Sequence, residues 1–196
     1  MIFPDYKQTG ILYHIAPITD LEKILEEGIA YDDKTTYLSK YLRFHKYIDS
    51  FKPDNVPTWV IRKKALFASM NFEDDHNFHS HSAILGIKID RNRCWVADES
   101  LVNQVYEPFI LKDIKMFSCS KNYLNKEGKN TLKKYWNTSL SFNENLEIRK
   151  DKENNYDAEV MIFHKIPPKD IEVISIVSDH KIMDKNQWIE LFKRGQ

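Results

Sequence analysis

The sequence predicts an α+β fold, because strand-like and helix-like patterns follow one another without the regular alternation of βαβ units. Short apolar runs of four to seven residues are typical of strands. Segments with apolar residues three and four positions apart are typical of amphipathic helices. The chain has 196 residues, of which 42% are hydrophobic, and is therefore predicted to form a single domain over residues 1–196.

The most regular pattern is a strand followed by a helix near the N-terminus. Residues 11–15 read Ile-Leu-Tyr-His-Ile and predict a strand that ends at Pro17. Thr19 is a predicted helix N-cap, with Glu22 three residues later as in a capping box. Gly28 is predicted to end this helix.

The rest of the chain is a mixture of short elements. Further strands are predicted at residues 58–61, 65–68, 83–89, 94–97, 158–163 and 171–177. Further helices are predicted at residues 37–51, 99–106 and 185–193. Residues 73–82 are polar and predict a loop, and residues 137–157 form a second polar region.

The charge of the chain is balanced overall and uneven locally. It contains 29 Lys+Arg and 29 Asp+Glu, which disfavours tight sequence-independent binding to duplex nucleic acid. Residues 112–134, however, contain seven lysines, against Asp113 and Glu127. A solvated helix face is one interpretation of this lysine-rich segment, and a nucleic-acid contact surface is the other.

Cysteines and hydropathy favour a cytoplasmic protein without a membrane anchor. Cys94 and Cys119 form no CxxC pair, and so predict neither a disulfide framework nor a zinc knuckle. The N-terminal residues lack the apolar run of a signal peptide. No segment approaches the roughly 20 apolar residues that a membrane-spanning helix needs.

Glycine-based nucleotide motifs and metal motifs are absent from the sequence. It has no GxGxxG, GxxxxGKS/T, GxSxG or HExxH pattern, and only five glycines. His76, His79 and His81 form an HxxHxH cluster next to Asp74 and Asp75. A structural zinc site usually needs a second, separate ligand pair. We therefore predict a polar loop and no metal site, with a metal site as the alternative.

Two residues in apolar strands are candidates for chemistry. Glu159 lies between Ala158 and Val160, where a carboxylate is costly unless it is paired or functional. Strand alternation would also allow it to face solvent. His14, between Tyr13 and Ile15, is equally compatible with a core or edge histidine.

Taken together, these segments resemble a known family. The matching segments are residues 12–15, 18–21, 24–29, 65–71, 134–138, 149–152, 157–162 and 166–171. In order and spacing they are similar to the DarT-type ADP-ribosyltransferases, over residues 11 to about 175. The C-terminal segments carry the most distinctive part of the resemblance.

The resemblance implies a fold and an activity. The fold is an α+β ADP-ribosyltransferase-like domain, with split β-sheets around an NAD-binding cleft and flanking helices. The activity is NAD-dependent mono-ADP-ribosyl transfer, with NAD as co-substrate, to a base in single-stranded DNA. A family member acts as a toxin or defence factor, and its implied partners are single-stranded DNA and an antitoxin that hydrolyses ADP-ribose.

The resemblance also implies the catalytic residues. Cleavage of the bond between ribose and nicotinamide passes through an oxocarbenium-like state, which a nearby carboxylate stabilises. Glu159 takes this role. The family also uses an arginine to contact NAD and to assist deprotonation of the acceptor base. It lies between the first helix and the segment that matches residues 65–71, and Arg43 is our candidate, with Arg62 as the other.

The residues expected to contact NAD lie in the first two matching blocks. They are His14, Ile15, Asp20, Phe67 and Ser69. Three positions depart from the family pattern: Ala16 and Pro17 stand where the family has Thr and His, and Asp20 stands where its helix begins with Asn. Phe67 offers an aromatic face for nicotinamide.

Two other functions remain open at the level of sequence. One is a related enzyme that modifies RNA, a 2′-phosphate on RNA, or protein. The other is a non-catalytic module of the same fold that binds nucleotide, nucleic acid or a protein partner.

Overall fold

The computed structural model of the chain describes residues 3–31, 40–72, 77–179 and 181–193. It confirms the α+β class. The strands are β1 (Leu12–Pro17), β2 (Leu66–Ser69), β3 (Ser82–Ile87), β4 (Cys94–Asp98), β5 (Leu140–Ser141), β6 (Ala158–Ile162), β7 (Ile171–Ser178) and β8 (Lys181–Asp184). The helices are α1 (Tyr6–Thr9), α2 (Leu21–Glu27), α3 (Lys40–Asp49), α4 (Glu99–Leu111), α5 (Cys119–Tyr123), α6 (Lys129–Thr138), α7 (Phe142–Ile148) and α8 (Lys185–Lys193).

The chain divides into two compact units, each built from separate segments. The first unit comprises Met1–Ala30, Phe67–Asp90 and His164–Gln196. The second comprises Tyr31–Leu66 and Arg91–Phe163. A single domain over residues 1–196 stays a prediction.

The first unit is built on an antiparallel sheet with the strand order β2-β1-β3-β7-β8. β1 runs along the whole of β3, from Leu12 opposite Ile87 to Pro17 opposite Ser82. All six residues of β3 are buried. This explains the continuous apolar run in its sequence, since a central strand covered on both faces has no polar face to present.

Aromatic side chains form the core of this unit. The buried cluster comprises Phe3, Tyr13, Phe72, Phe78, Ile84 and Val177. The rings of Phe72 and Phe78 meet edge to face, with centroids 4.9 Å apart. Such contacts add to the free energy gained from burying the rings.

The capping box predicted at the start of α2 is wrong. A 3₁₀ turn over Ile18–Asp20 leads directly into the helix, and the Leu21 N–H donates to the Ile18 carbonyl. The backbone therefore satisfies this donor without a side chain, and the Thr19 hydroxyl donates to the Asp20 carboxylate. The predicted stop at Gly28 is confirmed, with φ of 85°.

The second unit places three antiparallel strands, in the order β5-β4-β6, beside helices. α3 and α6 are joined where the indole N–H of Trp136 donates to the Ile48 carbonyl over 2.8 Å. The strand predicted at residues 58–61 is wrong. The chain turns there, and the Val60 N–H donates to the Pro57 carbonyl, because proline favours the start of a turn.

The lysine-rich segment lies in the second unit. It contains α5, a π-helical turn over Leu124–Gly128, and α6. Its lysines are exposed except for Lys112, which is half-buried. The segment therefore presents a solvated basic surface, which is compatible with both interpretations made from the sequence.

Within the described part of the chain, no helix is long and apolar enough to cross a bilayer.

Candidate functional site

The strand β6 carries a buried carboxylate. Glu159 has a relative exposure of 4% and lies opposite Ala97 of β4. The following residues up to Ile162 are buried as well, so this part of the strand is covered on both faces. A solvent-facing Glu159, which the alternation pattern allowed, is therefore excluded.

Arg62 and Tyr135 hold the carboxylate of Glu159. The Arg62 guanidinium forms an ion pair with Oε1 through Nη1. The hydroxyl of Tyr135 donates to the same oxygen over 2.8 Å, and accepts a hydrogen bond of 2.8 Å from Arg62. The three groups form a closed triangle, and each is buried. This geometry fixes Glu159 in one orientation.

Asp49 positions Arg62 through the backbone. It is the last residue of α3, and its carboxylate accepts hydrogen bonds from the backbone N–H groups of Arg62 and Lys63, over 2.8 and 3.2 Å. These N–H groups open the 3₁₀ turn Arg62–Lys64. Burial raises the pKa of Asp49 above its ordinary value and outweighs the two N–H groups and the nearby cations, which act to lower it.

The pKa values of Tyr135 and Arg62 show which groups of the triangle carry the protons of its hydrogen bonds. Burial raises the pKa of Tyr135 well above its ordinary value, so its hydroxyl keeps the proton that it donates to Glu159. Burial lowers the pKa of Arg62, but Glu159 and Tyr135 together raise it above its ordinary value. Arg62 is therefore a fixed positive charge beside Glu159.

A second carboxylate lies close to this triangle. Glu99 is the first residue of α4, and its N–H donates to the Asp157 carbonyl over 2.7 Å. Burial raises the pKa of Glu99 to about 7, and Glu159 and Asp157 add to this effect while Arg62 opposes it. A carboxylate of this kind exchanges a proton near neutral pH.

The residues predicted to contact NAD lie in the first unit, and several come together there. The Nδ1 atom of His14 lies 2.8 Å from the Phe67 carbonyl oxygen, which joins β1 to β2. Ser69 lies opposite Tyr13 in the same strand pair. The side chain of Ile15 is 39% exposed.

Asp20, the fifth of these residues, lies at the start of α2. It is half-buried, and its carboxylate accepts the hydrogen bond from Thr19.

The structure separates the two arginine candidates. Arg62 contacts Glu159, whereas Arg43 is exposed on α3. The role predicted for Arg43 stays a prediction. Glu99 was not predicted as a site residue, although an acidic residue directly after the buried strand Cys94–Asp98 is a signal of this kind of site.

The histidine cluster is only partly described. His76, Asp74 and Asp75 lie outside the described residues. The N–H of His81 donates to the Val177 carbonyl over 2.9 Å, and its φ is 62°. His79 is exposed. In the described parts of the chain, no group of three His, Cys, Asp or Glu side chains is placed to hold a metal ion.

Comparison with protein-family models, curated proteins and solved structures finds no match for this chain.

Proposed function

We propose that this protein is an NAD-dependent mono-ADP-ribosyltransferase in which Glu159 is the catalytic carboxylate. The observation that carries the proposal is the buried Glu159 on β6, held by Tyr135 and Arg62. A buried carboxylate is costly unless it is paired or functional, and active sites hold charged groups in fixed positions to stabilise charge that develops in a reaction. The resemblance of the segment around Glu159 to the DarT-type enzymes supports the same function.

The chemistry requires a negative charge in a fixed position. When the bond between ribose and nicotinamide breaks, positive charge develops on C1 and the ring oxygen of the ribose. A preorganised carboxylate in a water-poor environment stabilises this charge without reorganising. Tyr135 and Arg62 hold one oxygen of the Glu159 carboxylate, and their hydrogen bonds restrict its orientation.

Single-stranded DNA is the acceptor that we favour. The resemblance is to the DNA-modifying branch of the superfamily, and the exposed lysines of residues 112–134 offer contacts for phosphates. A toxin or defence role, with an ADP-ribose hydrolase as antitoxin, belongs to the same proposal. The residues proposed to contact NAD are His14, Ile15, Asp20, Phe67 and Ser69.

The test is transfer of label from adenylate-labelled NAD⁺ to separate pools of single-stranded DNA, RNA and protein. We expect transfer to DNA by the wild type and none by Glu159→Gln. Gln is preferred to Ala because it still accepts the hydrogen bond from Tyr135, which limits the structural damage around Arg62. Glu107→Gln, an exposed position on α4, is the matched control.

The outcomes of this test separate the alternatives. Glu159-dependent labelling of RNA or protein alone would move the acceptor to that class. Transfer by folded Glu159→Gln at the wild-type rate would contradict the assignment of Glu159. Circular dichroism and thermal unfolding establish that each variant is folded.

A non-catalytic nucleotide-binding module is the second candidate. The 4% exposure of Glu159 favours this candidate, because a buried ion pair such as that of Glu159 with Arg62 also occurs in proteins with a purely structural role. NAD⁺ binding measured by calorimetry, without label transfer or nicotinamide release in any pool, would support this function.

A further inference from the structure

The pairing of β4 with β6 brings Glu99 close to Glu159. In this antiparallel pair Ala97 lies opposite Glu159 and Asp98 lies opposite Ala158. Glu99 follows Asp98 as the first residue of α4, and its N–H donates to the Asp157 carbonyl. Glu99 therefore lies at the end of this strand pair, two positions beyond the pair formed by Ala97 and Glu159.

The carboxylates at this end of the strand pair differ in their access to solvent. Asp157 is exposed, Glu99 is half-buried and Glu159 is buried. Glu99 is therefore more accessible to a group from solvent than Glu159 is. The charged groups that act on Glu99 are Glu159 and Asp157, which disfavour its ionised form, and Arg62, which favours it.

We propose that Glu99 is the general base that takes the proton from the attacking acceptor. This inference rests on the proposed ADP-ribosyl transfer and adds a residue to it. The acceptor lone pair forms a bond to C1 of the ribose, and the bond from C1 to nicotinamide breaks, with its electron pair leaving on the nicotinamide nitrogen. The acceptor proton passes to the Glu99 carboxylate and then to water.

The position of Glu99 suits this role better than that of Glu159. Glu159 is buried, and its Oε1 already accepts hydrogen bonds from Tyr135 and Arg62, whereas Glu99 is only half-buried. The pKa of Glu99 is raised to about 7, chiefly by burial. A base of this strength is ionised in part at neutral pH and still accepts a proton readily.

The test uses azide as the nucleophile, because azide has no proton to lose and therefore does not need a general base. Nicotinamide release from NAD⁺ is measured for the full chain with and without azide, in the presence of mixed-sequence single-stranded DNA. We expect Glu99→Ala to lower release without azide by about 10²-fold or more, and azide to restore it. The azide product is ADP-ribosyl azide.

Three controls keep the test decisive. Glu159→Gln is expected to lose release both with and without azide, and Glu107→Ala to behave as the wild type. Glu99→Gln is the variant for pH profiles. For the wild type, DNA labelling is expected to rise with pH through about 7, and this rise is expected to be absent in Glu99→Gln.

The possible failures are distinguishable. Glu159-dependent nicotinamide release, with Glu99→Ala as fast as the wild type and the pH profile of Glu99→Gln unchanged, overturns the role of Glu99 alone. Loss of release in Glu99→Ala without recovery in azide also overturns it, in favour of a structural role. Absence of any Glu159-dependent release from the wild type, with azide or DNA, overturns the proposed function and this inference with it.

Discussion

Arg62 and Glu159 are 97 residues apart in the sequence and form a buried ion pair, which the Tyr135 hydroxyl closes into a triangle. The pair joins a 3₁₀ turn before β2 to the strand β6. Both side chains are buried, so if one of them is removed, water does not solvate the charge of the other. The stability of the second unit therefore depends on both residues together.

Substitution of Arg62 should be strongly destabilising. Arg62→Ala leaves the Glu159 carboxylate buried without its cation, which typically costs about 3–5 kcal/mol. Arg62→Lys keeps the charge and should cost less. Urea unfolding followed by circular dichroism measures the loss. A loss below about 1 kcal/mol for Arg62→Ala would show that the ion pair contributes little.

Arg43→Ala is the matched control for Arg62. The side chain is exposed on α3, and its removal should change the free energy of unfolding by no more than about 0.5 kcal/mol. The same variant tests the catalytic role predicted for Arg43. If that role is correct, label transfer from NAD⁺ falls while the protein remains as stable as the wild type.

Tyr135→Phe isolates the hydroxyl of the triangle. The substitution keeps the buried ring and removes the group that donates to Glu159 and accepts from Arg62. We expect a loss of about 1–2 kcal/mol, because both charged groups lose a hydrogen-bond partner. The half-buried Tyr123 on α5 provides the control substitution Tyr123→Phe. Equal effects of the two substitutions in thermal unfolding would contradict this assignment.

Much of the fold could be predicted from local patterns, because periodic burial leaves a periodic sequence. The strand at β3 and the helix α8 lie where their patterns predicted them. The strand predicted at residues 58–61 is wrong because these apolar residues lie in a turn that Pro57 begins. Short apolar runs do not distinguish a buried turn from a strand.

The site was predicted less completely than the fold. Glu159 could be singled out because a carboxylate within an apolar strand is unusual. Its partner Arg62 lies in Arg-Lys-Lys, which reads as a solvated basic turn. Arg62 is buried by contacts with segments distant in sequence, such as the contact with Tyr135. Local sequence patterns do not contain this information.

Glu99 should make stability depend on pH near neutrality. Its pKa is raised by burial from 4.5 to about 7 in the folded protein, so the folded state holds a proton that the unfolded state has lost between these values. The free energy of unfolding contributed by Glu99 is therefore complete below about pH 4.5 and is lost as the pH rises through about 7. Since Glu99 is partly exposed, we expect this loss to be on the order of 2 kcal/mol.

Glu99→Gln removes this titration. Unfolding free energies of the wild type and the variant are compared by urea denaturation between pH 5 and 8. The variant should gain stability relative to the wild type as the pH rises, while Glu107→Gln, exposed on the same helix, should follow the wild type. A constant difference between Glu99→Gln and the wild type over this range would contradict the raised pKa.

Gly28 is the position where a single methyl group should do the most damage in the first unit. Its φ of 85° lies in the left-handed region, and an added Cβ would lie 2.2 Å from the Ile166 carbonyl oxygen. That oxygen accepts the N–H of Ile29 over 2.9 Å, so the backbone would have to separate there. We expect Gly28→Ala to cost about 3 kcal/mol or more, from strain and steric overlap together.

Gly10→Ala tests a positive φ without steric overlap. Gly10 has φ of 72° and ψ of 11°, whereas Gly28 has ψ of −167°, and an added Cβ at Gly10 would meet no heavy atom within 4 Å. The cost there should be the backbone strain alone, about 1–2 kcal/mol. Thermal and urea unfolding of both variants measure the difference. Equal losses would mean that the Gly28 backbone moves away from Ile166 at little cost, and that the bridge between Ile29 and Ile166 contributes little to the stability of this unit.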